Sequence, residues 1–151
     1  PDFSSDDDTP LAVERKAVDR FKKAVLLCAG AAVQKYMQKI GDEQELLMSL
    51  ADMVIDAFQS ESLLLRVQKM QQSAYEKTEL ALDVLRVFLA DAADRVSHAG
   101  KTAINSFAAG DEQRLLLLGL KRYTKADAFN TTAARRRISD AVIAAGAYPF
   151  T

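Results

Sequence analysis

Apolar residues recur along most of this chain with the 3.6-residue period of an α-helix, and nowhere with the alternation of a strand. The longest unbroken pattern covers residues 41–70. There Leu46, Leu50, Met53, Ala57, Ser60, Leu64 and Val67 follow one another at steps of four and three, which places them on one side of a helix. A second row, Leu47, Ala51, Val54, Phe58 and Leu65, runs beside the first. The two rows predict a wide buried face with partners on two sides. Ser49, Asp52, Asp56, Gln59 and Arg66 take the opposite side. Asp42 and Glu45 have the spacing of a capping box at the helix start.

The other elements follow from the same period. Residues 1–10, PDFSSDDDTP, are acidic and aperiodic and read as a linker. A single helical domain is predicted over residues 11–151. Thr9 as N-cap with Pro10 at the first helical position starts a helix over residues 10–40. Its seam is Val18, Phe21, Val25, Cys28, Ala32, Tyr36 and Ile40, flanked by Leu26, Val33 and Met37. Gly41 is placed to end that helix in the left-handed conformation. The second helix ends near residues 71–73. A third starts near Tyr75 and carries Leu82, Leu85, Leu89, Ala92, Val96, Ala99, Ala103 and Phe107 on one seam, with Gly100 as a candidate bend.

Gly110 and Asp111 separate the third helix from a fourth, over residues 112–123. Its leucines 115–118, with Leu120, cover nearly the whole circumference. This predicts a helix wedged between neighbours or against another surface. After a loop at 124–130, a fifth helix over residues 131–145 is predicted to bury Ala134, Ile138, Ala141, Val142 and Ala145. Gly146 is its C-cap, and an apolar tail follows with Tyr148 and Phe150 around a proline. The class is all-α: an antiparallel helical bundle of three long helices plus two shorter ones.

Charge and composition narrow the partners. With 20 basic and 21 acidic residues the net charge is −1, so no global field recruits nucleic acid or an anionic membrane. The single cysteine, Cys28, excludes an intramolecular disulfide. No apolar run approaches the roughly 20 residues of a membrane span. No signal peptide is visible, and the predicted location is cytoplasmic. The chain opens on Pro1 rather than Met, which reads as a fragment of a longer chain.

Catalytic chemistry finds little to stand on. A di-iron bundle site needs two Glu-x-x-His motifs, whereas the one histidine, His98, follows Arg95 by three residues. Asp91, Asp94 and His98 share a helical face and would outline a mononuclear metal site; a solvated face with an Asp91–Arg95 pair weighs more. Glu61 lies between Val54, Phe58 and Leu65. It reads either as a general base of raised pKa or as a carboxylate paired across the bundle with a cation of the first or third helix, such as Lys35 or Arg86. Pairing is favoured, because no histidine, serine or second acid shares its face. Cys28 sits on an apolar seam and reads as an inert buried thiol. Arg135, Arg136 and Arg137 suggest a phosphate patch or an acidic partner elsewhere in a longer protein. The fourth helix's leucines with Lys121, Arg122 and Lys125 suggest a membrane contact, outweighed by core packing. No Gly-rich phosphate loop, nucleophile elbow or zinc pattern occurs. No catalytic, cofactor-binding or metal residue is therefore assigned.

The stretch EQELLMSLADMVIDAFQSESLLLR, residues 43–66, resembles the C-terminal extension of large acyl-CoA dehydrogenases, the type related to the very-long-chain enzyme. The match rests on Glu43-Gln44 and the leucines that follow, Leu50-Ala51-Asp52, Ile55-Asp56, and the end from Ser62 to Arg66. The preceding AVQKYMQKIGDEQ and the ending RRRISDAVIAAGAYPF are similar to that family as well. The resemblance implies a parent flavoenzyme that binds FAD and oxidises the α,β-bond of a fatty acyl-CoA, with a glutamate base and an electron-transferring flavoprotein as acceptor. It places the FAD site and that glutamate in a preceding catalytic body, so no such role falls on Glu61. The chain itself is then a non-catalytic helical domain, without FAD of its own, packing on that body. Leu116, Leu117, Tyr148 and Phe150 are the candidate docking residues, and an uncovered docking face gives the fragment a route to homo-oligomers. A membrane role, linked in the family to a neighbouring segment, sits poorly with the acidic start. The alternative is a stand-alone helical interaction or membrane-surface module; a metalloenzyme ranks third.

Overall fold

The structure, a computed structural model, describes residues 9–151. The linker assigned to residues 1–10 lies outside the described residues except for Thr9 and Pro10. Five α-helices make the fold, with no strand among the described residues: α1 (Ala12–Tyr36), α2 (Gln44–Gln72), α3 (Thr78–Phe107), α4 (Gly110–Tyr123) and α5 (Thr131–Ala145). All seven seam residues of α2, from Leu46 to Val67, are buried. They close on Leu82, Leu85, Leu89, Ala92, Val96, Ala99 and Ala103 of α3, and on Val18, Phe21, Cys28 and Ala32 of α1. Each large side chain so buried contributes roughly 1.5–3 kcal/mol. The three long helices form an antiparallel bundle, as the period predicts. Phe107 and Tyr36 finish one end of the core edge to face, with ring centroids 6.3 Å apart.

The helix boundaries hold four corrections. Alpha-helical geometry in α1 ends at Tyr36, four residues sooner than expected, and a 3-10 segment, Met37–Asp42, makes the connection. The residue of positive φ there is Met37 (φ 52°), not Gly41. Its N–H still reaches the Val33 carbonyl, so the chain turns where that bond is available. Asp42 is consequently inside the 3-10 segment, and the capping box does not form: Glu43 precedes α2 with no side-chain cap. The Gln44 amide instead donates to the Gly41 carbonyl at 2.7 Å. At the start of α1, Leu11 rather than Thr9 holds the N-cap position, in the left-handed region.

The α-helix of α3 runs unbroken through Gly100, and this glycine makes room for α4. A Cβ at Gly100 would lie 2.6 Å from Cδ1 of Leu120, and one at Gly119 would lie 2.8 Å from Cδ2 of Leu27. These two glycines let α4 settle against α3 and α1. Leu120 is the one α4 residue fully buried, while Leu116 and Leu117 are half-buried and Leu115 and Leu118 face out. The expected wedge is therefore one-sided.

The ends of α5 fall where the sequence placed them. Asn130 Oδ1 accepts from the Ala133 N–H at 3.0 Å, and Gly146 closes the helix at φ 63°. The expected buried seam is only partly buried. Ala134 is buried, Ile138 and Ala141 half-buried, and Val142 and Ala145 exposed. The reason is that α5 packs against α3 alone, so one neighbour covers a stripe that could have used two. The tail then turns back to the start of α3. Lys77 donates to the Pro149 carbonyl at 2.5 Å, and the Tyr75 hydroxyl donates to the Thr151 carbonyl at 3.2 Å.

Candidate functional site

The titratable groups singled out above are mostly engaged with one another. Glu61 pairs with Lys22 of α1. This is the expected pairing with a helix-one cation, though through Lys22 rather than Lys35 or Arg86. Arg86 instead donates to Glu14, a buried carboxylate, at 2.9 Å. The expected Asp91–Arg95 pair is absent as well. Arg95 reaches across to Asp56 of α2 at 2.7 Å and lies 5.2 Å over the Phe88 ring. This overturns the assignment of Asp56 to a solvent side, since its carboxylate is buried under that guanidinium. The bond to Asp56 raises the Arg95 pKa, against some loss from burial. Asp91 pairs with Arg135 at 2.7 Å and is thereby drawn away from Asp94 and His98. Among the described residues, no three metal-type side chains converge.

The arginine run has a concrete use. Arg137 grips Asp83 with two bonds of 2.8 Å, and Arg135 grips Asp91, one α3 acid for each. The Asp83 carboxylate, 14% exposed, is held below the usual carboxylate range by the bond from Arg137, against some desolvation. Two of the three arginines are thus committed inside the chain, and an external acidic partner is left only Arg136. Cys28 is fully buried, and burial pushes its thiol up to about 11. At neutral pH it carries almost no thiolate, so it is no nucleophile.

With the charges accounted for, the uncommitted features are apolar surfaces. Of the four sequence-picked docking residues, Leu116, Leu117 and Phe150 lean against the core, while Tyr148 is 67% exposed and stacks edge-on with Phe150 at 5.6 Å. Leu115 and Leu118, not singled out from sequence, are the outward α4 leucines. A larger surface was visible in the sequence and assigned to the wrong environment. The second row of α2 is not covered by this chain. Phe58 is 69% exposed and Leu65 57%, with Val54 and Ala51 exposed beside them. On α1, Leu26 is 71% exposed, and Val33 is exposed one turn pair further on. The Lys22–Glu61 bridge fixes the antiparallel register. In this register Leu26, four residues beyond Lys22, falls beside Phe58, three before Glu61, while Val33 lies one turn further along than Val54. The result is an exposed apolar face shared by both helices.

A groove of about 400 Å³ is the other notable concavity, lined by Leu11, Phe21, Leu89, Tyr123 and Phe129. Its wall includes the Glu14–Arg86 pair, which satisfies itself. Neither surface assembles an acid, a base and a nucleophile.

Known proteins are similar to this chain in sequence and in fold. The family described as "Acyl-CoA dehydrogenase, C-terminal domain" matches residues 20–122. A probable acyl-CoA dehydrogenase of Bacillus subtilis (strain 168) is 29% identical over 139 residues, covering 91% of this chain but 23% of its own. The crystal structure of an acyl-CoA dehydrogenase complexed with FAD from Bacillus anthracis superposes with a TM-score of 0.87 at 29% identity, over 91% of this chain and 24% of that one. The chain spans about a quarter of the length of these relatives. It belongs to the acyl-CoA dehydrogenase C-terminal domain family.

Proposed function

We propose that this chain is the C-terminal accessory domain of an FAD-dependent acyl-CoA dehydrogenase of fatty-acid β-oxidation, of the large, very-long-chain-related type, and that it packs on the catalytic body of the same parent. The observation that carries the reading is the family match together with the lengths. The relatives are about four times as long as the region they share with this chain, and the Bacillus anthracis relative is an FAD complex. A dinucleotide is held by a Gly-rich helix entry or by free cations at its pyrophosphate. Arg86, Arg95, Arg135 and Arg137 are each bonded to a carboxylate of the chain, so none of these four is given a flavin role. The domain acts as scaffold, and Tyr148 and Phe150 of the tail, near the start of α3, and Leu116 and Leu117 of α4, near its other end, are docking candidates.

No helix among the described residues is long and apolar enough to cross a membrane, which fits a cytoplasmic parent. The experiment is expression of the full reading frame beside the 151-residue chain. The full product should bind one FAD and oxidise a long-chain acyl-CoA with an artificial acceptor. The 151-residue chain should do neither. Stoichiometric FAD on the short chain, or a full product without flavin, would sink the proposal in favour of a stand-alone interaction module.

A further inference from the structure

We propose that the face shared by α1 and α2 is the surface through which this domain docks on the body of its parent. It is built from Leu26 and Val33 on α1 and from Val54, Phe58 and Leu65 on α2. The inference rests on the accessory-domain reading above and sets a second, larger contact beside its α4 and tail candidates.

Three observations select this face and its occupant. The five side chains are each at least half exposed and together leave on the order of 500 Å² of apolar surface in water, the size of the largest patch on a typical monomer, which is often functional. The ion pair within it, Lys22 with Glu61, neutralises itself inside the domain, and exposed Asp19 lies two turns from Leu26 on the same stripe, so the face asks for an apolar partner rather than an anionic membrane. Tethering selects the parent body over a second copy: a partner on the same chain is presented at an effective concentration in the millimolar range, so a patch of this size is covered within one chain before a second copy reaches it. The relatives' chains supply such a body, about three quarters of their length.

The same patch accounts for a conflict in the sequence. The period of α2 demands two partnered rows, and this chain covers only one of them. The second row is what an absent neighbour would bury.

Hydroxyl-radical footprinting of the full-length product, read by mass spectrometry against the urea-unfolded chain, tests the contact. Phe58 and Leu65 should be protected fivefold or more. Met48, 68% exposed on another side of α2, should label almost freely. Phe58 labelled as freely as Met48 overturns the proposal. A protection that disappears when the product is diluted to monomers overturns it too, and gives the face to a second copy. Phe58→Asp supplies an independent arm. Because Phe58 is largely exposed, the domain should still fold, and protease should now release it as an intact piece of about 16.6 kDa. Retention identical to the unmutated protein counts against the docking face. The parent reading fails separately, through absent flavin or absent acyl-CoA oxidation, whichever way the labelling falls.

Discussion

Helix α3 shows two different surfaces to its neighbours. Toward α1 and α2 it presents Leu82, Leu85, Leu89, Ala92 and Val96, all buried, and the contact is made by exclusion of water. Toward α5 it presents Asp83 and Asp91, each met by an arginine, with Ala134 as the only buried α5 side chain. The first contact scales with area and is indifferent to salt. The second is made of partly exposed ion pairs, which are individually weak and screened by salt. Both helices have a helical period in the sequence, so period alone does not report how firmly an element is held. The number of neighbours does: the core helices have several, α5 one.

The largest effect should come from the water-excluding side. Leu85 is fully buried where α3 meets the other long helices. Leu85→Ala should cost about 3 kcal/mol, within the range for buried leucine truncation. Urea unfolding followed by far-UV circular dichroism measures it; a loss below 1 kcal/mol would show that the core is looser than its burial says. A smaller effect is expected at the α3–α4 contact. Gly100→Ala puts a methyl 2.6 Å from a Leu120 methyl, and overpacking of this kind costs roughly 1–3 kcal/mol. Pairing it with Leu120→Ala should recover part of the loss. If the double variant shows no recovery, the two residues do not share that space.

How much of this was legible beforehand differs by level. The core seams of α2 and α3 were readable residue by residue, because burial follows the period whenever two neighbours are present. Both ends of α5 were readable too, since Asn130 lies just before the predicted start and Gly146 supplies the left-handed cap. The α1–α2 turn was not: Met37 adopts a conformation that the sequence would give to Gly41, and only the geometry of the 3-10 connection decides it. The Arg135–Asp91, Arg137–Asp83 and Arg95–Asp56 pairs were equally hidden, as each joins residues 39 or more apart whose register no local pattern records. On the second row of α2 the side chains were read correctly and their surroundings were not. Val54, Phe58 and Leu65 do form a second apolar row, but period cannot say whether the covering partner lies within this chain.

The smallest effect, and the one that separates the two sides of α3 most cleanly, is titration of the α5 clamp. The Asp83 pKa is lowered in the folded protein by Arg137. Its stabilisation is therefore fully present above the unfolded carboxylate value of about 3.9. It is lost as pH falls through the lower folded value, while the arginine stays charged throughout. Acidification from pH 5 to below 4 should raise amide exchange in α5 before it does so in α2, and 1 M salt at neutral pH should give a milder version by screening. Replacing both Arg135 and Arg137 by Ala should reproduce the loosened α5 at pH 7 and remove most of the salt dependence. Cys28 serves as the internal reference. Buried in the core, with its thiol near 11, it should stay unreactive toward a thiol reagent in the double variant. If α5 and Cys28 lose protection together, α5 is cooperative with the core, and the distinction between a water-excluding and a charge-held side of α3 fails.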